Sequence, residues 1–191
     1  MKLTPLLLLG PITWASLGFA GSAPQPPSPE YVWRQSQEKD AARTFTFTRY
    51  TLVGQFLSPP SIQIADRPAL ALDCIPSTGP HPAKGKFLTA NLLVGGTLKV
   101  VYVEPEEIHG TSYYPKVIVR YRTDKIKQEE EKWLSGTDKA SASIPKDALK
   151  KILHAHTVAI TTADDRGSQI DMQFILPDPT LVEQGCNIDE H

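Results

Sequence analysis

The stretch that decides the fold runs from Ser143 to Cys186, SIPKDALKKILHAHTVAITTADDRGSQIDMQFILPDPTLVEQGC. It reads as helix, strand, turn, strand, short helix and cysteine. Pro145 suits the first helical turn, where its missing N–H leaves no bond unmade. Asp147 adds a negative charge near the positive end of the helix dipole. Ala148, Leu149, Ile152, Leu153 and Ala155 recur at helical spacing as one apolar stripe, with Lys146, Lys150 and Lys151 off it. Val158 and Ile160 begin an alternating strand, Asp165-Arg166-Gly167 turns it, and Ile170, Met172 and Phe174 alternate again. Asp178 suits a helix N-cap and Pro179 the first position inside it. Leu181, Val182 and Cys186 are then expected on one face of that terminal helix.

Upstream, the same alternation recurs without a further helix of comparable clarity. Tyr31 to Ala42 is ambiguous; a short helix that packs Tyr31, Val32 and Trp33 downward is one reading of it. Thr44 to Leu57 is rich in Thr, Phe, Tyr and Val, so it reads as strand. Ser61 to Ala65 is short strand or extended loop, and Pro68 to Ile75 is strand. Lys86 to Val94 and Leu98 to Val103 flank Gly95-Gly96 and are expected to pair as a hairpin. Lys116 to Arg122 (KVIVRYR) alternates cleanly, with Val117, Val119 and Tyr121 on one face, and Glu131 to Gly136 adds a short strand. The count is six to eight strands, mostly antiparallel, with one central and one C-terminal helix. The expected fold is mainly β, of the α+β kind: an antiparallel β-sandwich-like domain with the two helices packed at its side.

The ends set the compartment. Lys2 precedes an apolar run from Leu3 to Phe19, and Gly18-Phe19-Ala20 has the form of a small-x-small cleavage site. Residues 1–20 are therefore expected to be a secretory signal peptide, with no stable membrane insertion after its removal. Residues 21–30 hold Pro24, Pro26, Pro27 and Pro29 and read as a stiff spacer. Residues 31–188 form the single domain. The formal net charge is −1, and loss of Lys2, the one charged residue among the first twenty, would leave −2. With the signs well mixed along the chain, nothing suggests a nucleic-acid partner, which would want a concentrated basic surface. The chain has two cysteines, Cys74 and Cys186. In an exported protein an even count argues for a disulfide, here one that ties the first half of the domain to its last element. The expected location is periplasmic or secreted.

One order of motifs resembles a known family. An Asp-Cys at 73–74, KVIVRYRTD at 116–124, KWLSGTD at 132–138, an Ala- and Leu-bearing helix, HTVAITT at 156–162, IDMQFIL at 170–176 and the late Cys186 are similar to the VasI-like exported proteins associated with type VI secretion. The likeness spans about residues 70–186 and extends to related periplasmic β-rich domains. It implies a β-rich, non-enzymatic accessory or binding domain and carries over no set of functional residues. The family's second cysteine pair is missing here.

Chemistry is sparse. The sequence has no Gly-x-Ser-x-Gly elbow and no phosphate loop, since Gly95-Gly96-Thr97 lacks the Lys-Ser/Thr ending. No cofactor is implied. Glu104, Glu106, Glu107 and His109 form the densest polar cluster, and His154 with His156 form a second possible ligand pair; both read more simply as solvated polar residues, so no metal is expected. A hydrolase acting on cell-wall or carbohydrate material through Glu104, Glu106 or Asp124 is the alternative function. The binding reading has more to stand on. Tyr113, Tyr114, Arg120, Arg122 and Trp133 concentrate aromatic and guanidinium groups in the middle of the domain, and such side chains anchor interfaces. The expected partner is an envelope or secreted protein; the oligomeric state is left open.

Overall fold

The computed structural model describes residues 31–39, 45–58, 67–76, 84–103 and 114–188. The signal segment, the proline spacer and the 61–65 stretch read as short strand or extended loop lie outside them. In chain order the elements are β1 (Arg34–Lys39), β2 (Thr46–Val53), β3 (Gln55–Phe56), β4 (Ala69–Ile75), β5 (Gly85–Leu93), β6 (Val100–Val103), β7 (Tyr114–Thr123), β8 (Glu129–Ser135), β9 (Ser141–Ser143), α1 (Lys146–Leu153), β10 (Thr157–Ala163), β11 (Gln169–Ile175), α2 (Thr180–Gly185) and β12 (Cys186–Asn187).

The twelve strands of the described residues belong to one sheet, ordered β1-β2-β4-β5-β9-β8-β7-β10-β11-β3, with β12 on β5 and β6 on β7. Every pairing is antiparallel except β12 on β5. The chain itself curls this sheet. β2 lies next to one end of the order and β3 forms the other, yet only Gly54 separates them. One run of backbone therefore serves both ends. Its bend is at Gly54, where a Cβ would stand 2.5 Å from the Phe174 ring and 2.8 Å from the Gln173 carbonyl oxygen. Only glycine allows so close a crossing. The two flanks then share one core, in which Leu52, Leu70, Leu72 and Leu92 from one side meet Val119, Tyr121, Ile160, Met172 and Phe174 from the other.

The helices pack against this curled sheet as the apolar stripe predicts: Ala148, Leu149, Ile152, Leu153 and Ala155 are all buried. Pro145 stands just outside α1, at its N-cap. The Asp178 carboxylate accepts the Thr180 N–H at 2.8 Å at the start of α2. Within α2, Val182 is buried but Leu181 is exposed, so Leu181 does not share the inward face expected of it. Cys186 ends the helix and opens β12.

Three other expectations are corrected. The described part of the stretch read as helix, residues 31–39, is not helical: residues 34–39 form β1, paired over their whole length with β2, and Trp33 alone of the first three anchors it in the core. The strands flanking Gly95-Gly96 do not pair with each other. The Val94 N–H donates to the Ala140 carbonyl oxygen and the Leu98 N–H to that of Lys139, so the turn after β8 draws the chain away. β9 then occupies the edge of β5 that a hairpin would have used, and β6 joins β7 instead. Among the described residues the strand count exceeds eight because β1 stands where a helix was expected and because β3, β9 and β12 have only two or three residues each, too few to show a period.

The β10–β11 hairpin turns on a residue the sequence pattern did not single out. Asp164 is buried, and its carboxylate accepts the N–H groups of Arg166 (3.0 Å) and Ser168 (2.7 Å). Gly167 sits at φ 86°, the left-handed region that only glycine enters freely.

Candidate functional site

Strand β7 sorts the candidate binding residues by parity. Val117, Val119, Tyr121 and Thr123 point inward and are buried. Tyr114, Lys116, Ile118, Arg120 and Arg122 point outward in one row. Three of the expected binding residues, Tyr114, Arg120 and Arg122, are therefore brought onto a single face. Trp133 is not. It pairs with Val117 in register, is fully buried, stacks at a tilt on Tyr121 (centroids 5.9 Å apart) and donates its indole N–H to Glu131 at 2.9 Å. It belongs to the core and offers no surface. Tyr113 lies outside the described residues, as do Glu104, Glu106, Glu107 and His109.

Strand β8 completes the face. Its outward residues Glu130, Lys132 and Leu134 stand opposite Arg120, Ile118 and Lys116. Leu134 is thus the diagonal neighbour of both Tyr114 and Ile118, within reach for large side chains. Tyr114, Ile118 and Leu134 are 56%, 39% and 47% exposed. They account for three of the six large hydrophobic side chains exposed among the described residues. Lone exposed hydrophobics are ordinary, but neighbouring ones mark an interaction surface. Sequence reasoning missed Ile118 and Leu134, although the alternation of KVIVRYR already puts Ile118 on the side of the arginines.

A cleft opens where two strands compete for one edge of β7. β10 pairs with residues 120–123 of that edge and β6 with residues 114–117. Between them the Thr162 hydroxyl donates to the Ile118 carbonyl oxygen at 3.1 Å, and the Lys99 N–H donates to that of Ala163 at 2.9 Å. The half-open space above this fork is about 340 Å³. Val101, Ile118 and Ala163 give it an apolar floor, and Lys99, Arg120, Thr161 and Gln169 give it polar walls. The Arg120 Nε donates to Glu130 at 2.6 Å. Thr161 Oγ1 (2.6 Å) and Gln169 Nε2 (2.8 and 2.9 Å) both donate to the Asp171 carboxylate.

The remaining candidates have structural duties. Asp124 accepts the backbone N–H groups of His156 (2.9 Å) and Thr157 (3.2 Å), and these bonds, Thr157's foremost, hold its carboxyl below the usual range. Its oxygen fixes the junction from α1 to β10. His154 caps α1 and its carbonyl oxygen accepts from Lys125. Among the described residues no three His, Cys, Asp or Glu side chains gather as a metal would require. Cys74 and Cys186, both buried, meet at disulfide distance, with Cα atoms 5.7 Å apart.

A second polar cluster lies on the inward side. The Tyr121 hydroxyl is 2.7 Å from Glu129 and 2.8 Å from Glu131, and it has one proton to offer the two carboxylates. Burial first, then both carboxylates, push the phenol's pKa up. Lys151 grips Glu129 at 2.7 Å and, with Tyr121, holds its carboxyl low. This network ties α1 to β7 and β8.

No family model, curated protein or solved structure matches the chain.

Proposed function

We propose that this chain is an exported accessory module of the cell envelope that binds a protein partner through the outward face of β7 and β8. One observation carries the reading: Tyr114, Ile118 and Leu134 are adjacent, exposed and apolar, with Lys116, Arg120, Arg122 and Lys132 set among them. Aromatic and aliphatic anchors interleaved with arginines are the composition of a binding hot spot. Among the described residues no helix is long and apolar enough to cross a membrane. The apolar leader, the cysteine pair and the likeness to type VI secretion-associated proteins all favour work outside the cytoplasm, where an envelope or secreted protein is the partner.

The test is capture from envelope extract with the native domain, with a Tyr114→Ala/Ile118→Ser/Leu134→Ser variant, and with a Leu57→Ser/Leu181→Ser control on other surfaces. Truncating hot-spot side chains is expected to cost at least about 2 kcal/mol, roughly thirtyfold in affinity. A partner bound equally by all three proteins would place the interface elsewhere.

A further inference from the structure

The cleft at the fork has a chemistry of its own. The outward residues around it, from Lys99 through β7, β8 and β11, carry five cations (Lys99, Lys116, Arg120, Arg122, Lys132) against two carboxylates (Glu130, Asp171). Both carboxylates already have donors: Arg120 serves Glu130, while Thr161 and Gln169 serve Asp171. The donors left over are cationic. Arg120 uses its Nε on Glu130, and a guanidinium has four further N–H groups. Lys99 is exposed, and its ammonium lies beside Gly167, where a Cβ would stand 3.6 Å from Nζ. No ion-pair partner of Lys99 appears among the described residues. Below these two cations the floor of Val101, Ile118 and Ala163 is apolar.

A lysine without an ion-pair partner among the described residues and a guanidinium with N–H groups to spare, over a short apolar floor, suit a carboxylate on an aliphatic stem. The space, about 340 Å³, is at the small end for a ligand pocket and fits side chains, not a folded element. Backbone pairing is closed off at the fork, because the Ile118 carbonyl oxygen is taken by Thr162 and the Lys99 N–H by Ala163. Recognition there must run through side chains. We propose that the cleft receives a glutamate side chain from an extended acidic segment of the partner, its methylenes on Val101 and Ile118 and its carboxylate between Lys99 and Arg120. A neighbouring apolar residue of the same segment then lies on Ile118 and Leu134. This inference rests on the binding face proposed above and names the class of segment that the face selects.

The probe is a fluorescein-labelled, amidated eight-residue peptide alternating Glu and Leu, with its Gln/Leu counterpart, titrated by anisotropy into the full domain. The Glu peptide is expected to bind at least tenfold more tightly than the Gln peptide, more weakly as salt rises. Lys99→Gln is expected to lose most of that preference and Lys99→Arg to keep it, while Lys39→Gln, a distant exposed lysine, changes little. Amide shifts on binding should centre on Lys99, Arg120 and Gly167. Equal affinity for the two peptides, no binding of either, or a Lys99→Gln variant that keeps the full preference would each overturn the inference. If it falls while the Tyr114/Ile118/Leu134 variant still loses the captured partner, the binding face stands without the acidic segment. If that variant keeps the partner, the face itself is wrong.

Discussion

Reducing the Cys74–Cys186 pair should loosen the domain from its C-terminal end. The cysteines are 112 residues apart in sequence. On the chain-entropy relation a loop of that length removes about 16 cal/mol/K from the unfolded ensemble, or about 4.8 kcal/mol at 25 °C. Cys186 opens β12, which holds the sheet by two residues on β5, and α2 before it buries only Val182. The local contacts are thus few, and the cross-link carries the attachment. Reduction is a better perturbation than replacement, because both sulfur atoms are buried and an alanine would add a cavity. Peptide mapping without reductant should first yield one peptide containing both cysteines. Urea unfolding with and without reductant should then differ by about 2–3 M in midpoint, taking a slope of about 2 kcal/mol/M. Hydrogen exchange should quicken first over residues 180–188, with β7 and β10 protected until global unfolding. Two separately alkylated thiols would remove the premise. A midpoint shift below about 0.5 M, or exchange that quickens uniformly along the chain, would refute the argument that this bridge holds the terminal elements.

Two further outcomes test the polar ties of the sheet. Arg49 binds the largely buried Asp73 through two parallel bonds, 2.7 and 2.9 Å, and the Thr89 hydroxyl adds a long one at 3.5 Å. Breaking a fully buried pair costs about 3–5 kcal/mol; with Arg49 partly exposed, Arg49→Met should cost about 2–3 kcal/mol and lower Tm by about 4–12 °C. Adding Asp73→Leu should recover most of that loss by calorimetry, and a double variant no better than the single would show that the unpaired carboxylate was not the cause. The carboxyls of Asp124, Glu129 and Asp178 are all held below their ordinary values by bonds from Thr157, Lys151 and Thr180 respectively. A depressed folded-state pKa gives stability that is complete above the unfolded value, about 4, and is lost as pH falls through the folded one. Thermal melts should therefore be flat from neutral pH to about 5 and fall below about 4, and Glu129→Gln should shallow that fall; a Glu129→Gln profile parallel to the native one would contradict Lys151's role.

Much of the fold was legible because burial writes a period into the sequence. Val117, Val119 and Tyr121 alternate with exposed residues, and so do Ile170, Met172 and Phe174, so β7 and β11 declare both their existence and their inner faces. β1 declares neither. Its residues RQSQEK stay largely exposed and show no apolar period, and it is a strand only because its backbone pairs with β2, the next strand along the chain. A polar, charged edge of this kind also discourages pairing with another chain. Gly95-Gly96 carried a local hairpin signal that long-range bonds to Lys139 and Ala140 overrode. The site divides the same way. The row of Tyr114, Arg120 and Arg122 follows from parity within one strand, and the same parity sets Trp133 opposite Val117 on the inside. The cleft was invisible, because it exists only where β6 and β10 meet one edge of β7.

The composition of the outward face is not a demand of the fold. An antiparallel sheet with one solvated face needs only residues that tolerate water and pack on a pleat. Most of the neighbouring outward positions meet that need with small or polar residues, Thr157, Ala159, Thr161, Ala163, Gln169, Asp171 and Gln173, and Ile175 is the exception at the end of β11. Threonines and glutamines at Tyr114, Ile118 and Leu134 would have served β7 and β8 as well. Each large apolar side chain there is about half in water and forgoes roughly half of the ~1.5–3 kcal/mol that full burial returns. The cations beside them add mutual repulsion that Glu130 and Asp171 only partly relieve. Helices α1 and α2 do nothing to cover these residues, since their buried side chains join the inward core. A face that is more apolar and more cationic than its strands require is what the proposed partner segment, apolar and acidic in its turn, would complement, and the glutamate-bearing peptide is designed to meet it.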